Sequence, residues 1–326
     1  MKYRQLGRTG IQVSEVGFGA WGIGGDHEGA VAYGPVDPGE SKQALRRAYE
    51  LGITFFDTAD LYGFGYSEQL LGEALHDVRS RIVIATKGGM LDAAGRQDFS
   101  PDYLRRALEG SLRRLRTDFV DLYQLHSPPL DILADNPELW NFLHRVRTEG
   151  KARRCGISLR SPEDGLTAIQ DYCFEAVQVN FNLVDQRAME NGLFARCGDQ
   201  GVGVIVRTPL CFGFLSGQDY DPGKLDVRDH RRRWSPTQIA RWMNAQRLFE
   251  AALNDGTSHT PAQAALRFCL SSEVVSTVIP GMLTVQHVEE NVAASNYGPL
   301  STAAVERAAQ VFRSNEFFEG KRSDIH

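Results

Sequence analysis

Three ionisable side chains follow apolar runs of this chain, at the points where strands would end. Asp57 follows residues 53–56, and Lys87 and His126 follow the next two strand-like runs. An acid, an ammonium and an imidazole that meet at one centre can transfer protons and stabilise charge. Taken singly, each has an ordinary structural explanation: a turn or cap for Asp57, an exposed position for Lys87, a loop position for His126. The elements around them decide whether the three meet.

Strand-like apolar runs alternate with helical stretches along the whole chain. Strands are predicted at residues 16–19, 53–56, 81–86, 119–125, 152–157, 176–179, 202–206 and 274–279. Helices are predicted at residues 39–51, 67–78, 101–115, 137–149, from 161, at 191–200, 236–254, 261–270, 285–294 and 302–313. A hairpin at residues 3–14 precedes them, and no low-complexity linker divides the chain.

Eight strands joined by helices predict an α/β fold, a (β/α)8 TIM barrel with an N-terminal β-hairpin and two extra helices. Residues 1–326 would then form a single domain, since a barrel of this length is one domain. In such a barrel the carboxyl ends of the strands converge on one face, so Asp57, Lys87 and His126 would point at a common centre. The alternative is an open doubly wound sheet.

The composition excludes several classes of protein. The formal net charge is −5, whereas a protein that binds a nucleic-acid duplex normally carries a basic surplus. No apolar run is long enough for a membrane span, and residues 1–7 lack the apolar core of a secretory signal. The five cysteines are odd in number and lack CxxC spacing, which predicts reduced thiols in a cytoplasmic protein and no zinc site. No HxH or HExxH spacing is present, so no metal is expected.

Two local patterns have competing explanations. Residues 17–22 match GxGxxG, but Gly24, Gly25 and Pro35 follow them and indicate a loop. A dinucleotide fingerprint would instead open a helix and place an acid about 20 residues further on. The basic run 228–233 is predicted to be a solvated loop, with a flap over an anionic cofactor or substrate as the alternative.

The strand-end motifs resemble those of the aldo-keto reductase family, from the N-terminal hairpin to about Asn291. They are GITFFDTADLYG at 52–63, IATK at 84–87, DLYQLH at 121–126, VIPG at 278–281 and EEN at 289–291. The resemblance implies a nicotinamide-dependent oxidoreductase that reduces an aldehyde or ketone to an alcohol. It places the family's catalytic tetrad on Asp57, Tyr62, Lys87 and His126.

The chemistry suits those residue types. Reduction of a carbonyl needs a hydride on carbon and a proton on oxygen, and a free phenol, with a pKa near 10, is a poor donor at neutral pH. Lys87, held by an ion pair with Asp57, would make the Tyr62 proton easier to release. His126 would hydrogen-bond the substrate oxygen, and the nicotinamide would supply the hydride.

The resemblance also implies a set of cofactor-binding residues. These are Gly19, Trp21, Asp57, Ser158, Gln178, Arg207, Leu210, Gly213, Phe214, Ser216, Gly281, Gln286, Glu290 and Asn291. Ser158 and Gln178 would bind the nicotinamide carboxamide, and Arg207 would stack under the ring. Residues 210–217 would wrap the pyrophosphate, and the last four residues of the set would meet the adenosine half.

The substrate would meet Trp21, Tyr62 and His126. Trp21 has packing as its alternative role. Together with Phe64 and Trp234, Trp21 and Tyr62 would form an aromatic wall suited to a sugar-like or hydrophobic carbonyl compound.

Two departures from the family pattern concern the cofactor. Leu159 stands where many members have an asparagine that contacts the carboxamide. Residues 281–287 carry no Lys or Arg, the side chains that usually hold a 2′-phosphate. NADP is implied by the resemblance, and NAD remains open beside it.

Two other functions remain as alternatives. One is a non-catalytic, nucleotide-sensing subunit on the same fold, since the chain also resembles potassium-channel β subunits more distantly. The other is a barrel hydrolase or lyase that uses Asp57 and His126 without a nicotinamide.

Overall fold

Eight parallel strands form a sheet that closes on itself, over residues 1–257 and 259–320 that this computed structural model describes. Each strand pairs with the next one in chain order. The strands are β3 (Phe18–Gly19), β4 (Phe55–Asp57), β5 (Val83–Gly88), β6 (Val120–His126), β7 (Ala152–Ser158), β8 (Ala176–Asn180), β9 (Gly203–Arg207) and β10 (Val275–Ile279). The predicted barrel is therefore confirmed.

The seam between β3 and β10 decides between a barrel and an open sheet. The amide of Gly17 donates to the carbonyl of Val278 at 2.8 Å, and that of Gly19 to the carbonyl of Pro280 at 3.0 Å. A Cβ atom on Gly19 would lie 2.6 Å from the carbonyl oxygen of Ile279. Only glycine lets the two strands approach this closely, so Gly19 closes the barrel.

Most helices begin at a capping residue followed by proline. The side chain of the cap accepts a hydrogen bond from an amide of the first turn, and the fixed φ of proline suits the first helical position. This pattern starts α1 (Pro38–Glu50), α3 (Pro101–Leu115), α4 (Pro137–Thr148), α5 (Pro162–Gln170), α8 (Pro236–Leu253) and α9 (Pro261–Leu270). The predicted cap Ser100 is confirmed, since it accepts from the Tyr103 amide.

The remaining helices are α2 (Tyr66–Leu75), α6 (Arg187–Glu190), α7 (Leu193–Gln200), α10 (Val285–Tyr297) and α11 (Thr302–Arg313). The helix predicted at 191–200 is shorter at its start, because Gly192 at φ 85° separates α6 from α7. The helix predicted at 67–78 ends at Leu75 and continues as 3-10 turns. Within the described ranges, no helix has the length and apolarity needed to cross a membrane.

The hairpin of β1 (Tyr3–Gln5) and β2 (Gln12–Ser14) covers the amino end of the barrel. Leu6 and Val13 from this hairpin pack with the interior side chains of the strands. A second apolar layer fills the space between the strands and the surrounding helices. The amino end is thus sealed by apolar packing, and polar side chains from the strands gather at the carboxyl end.

Candidate active site

Side-chain alternation along the strands selects which residues face the barrel interior. Phe55, Val83, Leu122 and Ile205 belong to the interior apolar cluster. Successive side chains of a strand point to opposite faces, so the residues two and four positions further on face inward as well. The interior layer at the carboxyl end therefore contains Asp57, Lys87, Gln124, His126 and Arg207.

The strands extend further than the sequence predicts. Asp57, His126, Ser158 and Arg207 are the last residues of their strands rather than the first residues after them, and Lys87 lies inside β5. The reason is the pairing of the strands: polar residues continue the hydrogen-bonded ladder, with His126 opposite Ser158, for example. Apolar patterning alone ends six of the eight predicted strands too early; the first and the last end where the sequence predicts.

Lys87 is the centre of a buried network. Its ammonium lies 2.5 Å from the Asp57 carboxylate, 2.9 Å from the Thr58 carbonyl oxygen and 3.1 Å from the Tyr62 hydroxyl. Burial by itself lowers the pKa of Lys87, but attraction to Asp57, together with Tyr62, outweighs it and holds the pKa above its ordinary value. Lys87 is therefore a cation that carries three hydrogen bonds, one of them to the phenol.

The second oxygen of Asp57 is also bound. It accepts from the amide of Gln178 at 2.8 Å and from that of Gln124 at 3.1 Å. Sequence reasoning did not assign a role to Gln124. Its position was readable, because it lies two residues before His126 on the same strand and is in register with Lys87. In this structure the amide nitrogen of Gln178, expected to bind a carboxamide, is engaged with Asp57.

Tyr62 lies in a turn rather than on a strand. Gly63, at φ 60°, follows it and packs against the backbone of Gly24, such that a Cβ on Gly63 would lie 2.5 Å from the Gly24 carbonyl oxygen. The amide of Tyr62 donates to the carbonyl of Ala59 at 3.1 Å. Two glycines far apart in the sequence therefore fix the direction of the phenol, which no local pattern reveals.

His126 lies beside Tyr62, with the ring centroids 5.8 Å apart and the planes nearly perpendicular. Burial, reinforced by the charges of Lys87 and Arg207, lowers the pKa of His126 well below its ordinary value, so the imidazole is neutral. Its Nδ1 atom is buried and has no hydrogen-bond partner among the described residues. The imidazole thus retains hydrogen-bonding capacity next to the phenol.

Residues 208–235, between β9 and α8, form a segment named here the strap. The amides of Cys211, Gly213, Phe214, Leu215 and Ser216 donate to carbonyl groups within the strap itself. The sequence predicts that the backbone amides of 210–217 bind a pyrophosphate. In this structure most of these amides already donate hydrogen bonds within the strap. Leu210 is half-buried and Phe214 is buried.

The basic run 228–233 is only in part the solvated loop that the sequence predicts: three of its four arginines are exposed, but the middle of the run is buried. Asp229 and His230 are buried, and the His230 amide donates to the carbonyl of Ala32 at 2.9 Å. Arg228 forms an ion pair with Asp26. This ion pair and this backbone hydrogen bond attach the strap to the loop between β3 and α1. The charge composition of the run does not reveal either contact.

Trp21 belongs to the contact between these two segments. Its ring centroid is 4.6 Å from that of His230 and 5.2 Å from that of Tyr33, and the side chain remains partly exposed. Trp234 also packs against His230, at 5.2 Å between centroids. Of the predicted aromatic wall, Trp21 and Trp234 therefore meet through the His230 ring.

The residues expected at an adenosine group lie together beyond β10. Gly281 is exposed, and α10 begins four residues later, at Val285, behind the cap Thr284. Gln286 is exposed and Glu290 half-buried, one turn apart, and the next residue, Asn291, is buried. Met282 is buried and Leu283 is half-buried, and they stand in the stretch where a Lys or Arg would hold a 2′-phosphate.

The turn at Tyr62 and the interior layer thus bring together a phenol, an ammonium that can stabilise its conjugate base, and a neutral imidazole. Opposite them, Arg207 donates to the Leu159 carbonyl at 2.8 Å while its buried Nε atom has no partner in the described ranges. Unpaired polar atoms at the carboxyl ends of the strands can form hydrogen bonds with a polar ring that binds above the barrel interior.

Comparisons with known proteins agree with this geometry. The model of the Aldo/keto reductase family matches residues 15–312. An L-galactose dehydrogenase from Arabidopsis thaliana is 32% identical, over 90% of this chain and 88% of the relative. An NADH-specific methylglyoxal reductase from Escherichia coli is 30% identical, over 91% and 94% of the two chains. Among solved structures, the holo form of aldo-keto reductase AKR11C1 from Bacillus halodurans superimposes with a TM-score of 0.77 at 30% identity, covering 95% of this chain and 96% of the other.

Proposed function

The chain belongs to the aldo-keto reductase family and is an NAD(P)-dependent oxidoreductase, and from this premise we propose that it reduces an aldehyde or ketone with Tyr62 as the proton donor. The observation that carries the proposal is the 3.1 Å contact between the Tyr62 hydroxyl and the Lys87 ammonium. Loss of the phenolic proton leaves a negative charge on that oxygen. A buried ammonium at hydrogen-bond distance stabilises this charge.

Asp57 and His126 have different parts in this proposal. Asp57 keeps Lys87 charged and fixed, so that the ammonium faces the phenol without an unpaired charge in the interior. His126 is neutral, so it binds the carbonyl oxygen as a hydrogen-bond donor and does not compete with Tyr62 as an acid. Together Tyr62 and His126 hold the oxygen that receives the proton.

A nicotinamide nucleotide supplies the hydride when it is bound. Ser158, Arg207 and the amide oxygen of Gln178 would surround its ring, since they lie at or near the carboxyl ends of neighbouring strands on the side of the barrel away from Tyr62. The strap, including Leu210, Gly213, Phe214 and Ser216, would cover the pyrophosphate. The beginning of α10 would hold the adenosine half through Gly281, Gln286, Glu290 and Asn291. Gly19 and Trp21 would line the side of the cofactor site next to Tyr62.

For the substrate we propose a small or sugar-like carbonyl compound. Trp21 and Trp234 offer aromatic faces above the polar floor, a combination suited to a molecule with apolar C–H faces and polar edges. Phe64 is exposed and can extend this wall. One relative is named for L-galactose and another for methylglyoxal, so both compounds belong in a first panel.

The test is consumption of NADH and NADPH, followed separately by absorbance, with a panel of aldehydes, ketones and aldoses. Wild type is expected to oxidise at least one cofactor, and Tyr62→Phe to lose about 100-fold or more of that rate. Tyr297→Phe is a matched control, because this tyrosine is exposed on α10. Undiminished turnover by Tyr62→Phe would contradict the assigned proton donor. Tight cofactor binding without turnover of any substrate would favour the sensing subunit instead.

A further inference from the structure

Arg207 faces the proposed proton donor across the mouth of the barrel. It lies on β9, the seventh of the eight strands in sheet order, whereas Lys87 lies on β5, the third. Strands four places apart in a closed eight-stranded barrel are on opposite sides. The Arg207 side chain points inward, because Ile205, two residues earlier, belongs to the interior cluster. Its positive charge also helps to lower the pKa of His126, after burial and the charge of Lys87.

The guanidinium of Arg207 forms no salt bridge within the described residues, although the Asp185 and Asp57 carboxylates attract it from a longer distance. It donates one hydrogen bond, to the Leu159 carbonyl, and its Nε atom is buried without a partner. Within residues 1–257 and 259–320, no carboxylate forms an ion pair with it. By contrast, Lys87 in the same layer is paired with Asp57, and the nearby Arg187 is paired with Asp185 at 2.8 Å.

Arg207 is half-buried, and a cation without a salt bridge in such a place is costly, because charges withdrawn from water are normally compensated. Burial lowers the pKa of Arg207, but a guanidinium remains protonated in proteins. The site therefore holds a fixed positive charge opposite the phenol. Arg207 would therefore face a nicotinamide ring that delivers a hydride to a carbonyl held by Tyr62 and His126.

We propose that Arg207 makes this site discriminate between the redox states of the nicotinamide, favouring the reduced form over the oxidised form. The inference rests on the proposed function. The oxidised ring carries a positive charge, which the guanidinium repels in a partly desolvated site. The reduced ring is neutral and electron-rich, and a guanidinium against its face is attracted to it. The phosphates are the same in both states, so their attraction to Arg207 cancels in the comparison.

The consequence concerns the order of events in the reductive direction. With a nicotinamide nucleotide bound, Arg207 would favour retention of the reduced form before hydride transfer and release of the oxidised form after it. The same charge makes oxidation of an alcohol start from the more weakly bound state of the cofactor. Arg207 thus favours occupancy of the site by the reduced nucleotide, which is the form of the cofactor that carbonyl reduction requires.

The test is isothermal titration calorimetry with NADH, NAD⁺, NADPH and NADP⁺, on the full chain without substrate. For the better nucleotide pair, wild type is expected to bind the reduced form at least about tenfold more tightly, which corresponds to about 1.4 kcal/mol. Arg207→Gln is expected to reduce this ratio about tenfold, mainly by tightening the oxidised form. Arg207→Lys keeps the charge and should keep most of the ratio, which also guards against a misfolded Gln variant. Arg153→Gln, at the opposite end of the barrel, is the control.

Four results would overturn the inference. If Arg207→Gln weakens both redox states equally, the residue binds the phosphates. If the ratio is unchanged while KM rises for a carboxylate-bearing substrate such as glyoxylate, the missing partner of Arg207 is a substrate carboxylate. If wild type binds neither redox state and turns over no substrate, the proposed function fails and the inference with it. A wild type that turns over substrate but binds both states equally rejects the inference alone.

Discussion

The carboxylate of Asp57 and the ammonium of Lys87 lie 2.5 Å apart in the barrel interior, with side chains that are 3% and 0% exposed. The pair joins β4 to β5 and places a positive charge under the Tyr62 hydroxyl. Both partners are further satisfied, Asp57 by two amides and Lys87 by a carbonyl and the phenol. A pair of this kind specifies geometry, and removal of one partner leaves the other charge uncompensated.

Loss of Asp57 should therefore destabilise the protein more than loss of both partners. Asp57→Asn leaves the Lys87 ammonium buried and unpaired, which costs about 3–5 kcal/mol of unfolding free energy. Asp57→Asn combined with Lys87→Met removes both charges and should recover most of that loss. Urea unfolding at pH 7 measures all three proteins. Asp77→Asn is the control, since Asp77 pairs with Arg46 on the surface. A double variant as unstable as Asp57→Asn would show that the pair is not the cause.

The neutral state of His126 predicts a specific pH dependence of stability. The folded-state pKa lies well below the ordinary value, so the unfolded chain takes up a proton near pH 6.5 that the folded chain does not. The stability associated with His126 is therefore fully present above pH 6.5 and declines as the pH falls below it. His126→Gln should lose less stability than wild type between pH 7.5 and 5, in unfolding measured at each pH. His144→Gln, an exposed position, should behave like wild type; equal slopes for wild type and His126→Gln would contradict the neutral imidazole.

The cofactor preference should respond to one added charge at α10. Gln286 is exposed in the first turn of this helix, where no Lys or Arg stands in wild type. Gln286→Arg should tighten NADPH relative to NADH by about tenfold, because a guanidinium binds a 2′-phosphate directly. Titration of both nucleotides gives the ratio. Asn296→Arg adds the same charge farther along the helix and should not change it. An unchanged ratio in Gln286→Arg would place the adenosine elsewhere.

The attachment of the strap should control how fast a nucleotide leaves. Arg228 pairs with Asp26 across the two segments, next to the bridge between Asp229 and Ala32. Arg228→Gln removes this tie and should raise the dissociation rate several-fold, with association accelerated as well, because the strap opens more readily. Stopped-flow fluorescence measures both rates. Lys224→Gln, in the same segment and paired only locally with Asp221, is the matched control. Dissociation unchanged in Arg228→Gln would mean that the strap does not retain the cofactor.

The sequence by itself determined the alternation of strands and helices and the strand ends at which the candidate catalytic residues lie. The helix starts at Ser100 and Ser161 depend on side chains that cap the adjacent turn, and the strands depend on local apolar runs. Because Asp57, Lys87 and His126 stand at the ends of such runs, their convergence follows from the parallel arrangement of the strands. These features are local or repeat along the chain, so they can be read from neighbouring residues.

Tertiary structure alone decided how the barrel closes and which charges and contacts surround the side chains of the site. The seam at Gly19, the contact of Gly63 with Gly24, and the burial of His230 against the loop of Ala32 join residues far apart in the sequence. The strap illustrates the limit, because a run of basic residues looks solvated until its acidic partners are known. Likewise, the sequence does not reveal that Arg207 lacks a salt bridge within the described part of the chain. Charge compensation and close backbone approach depend on distances in space, which sequence spacing does not determine.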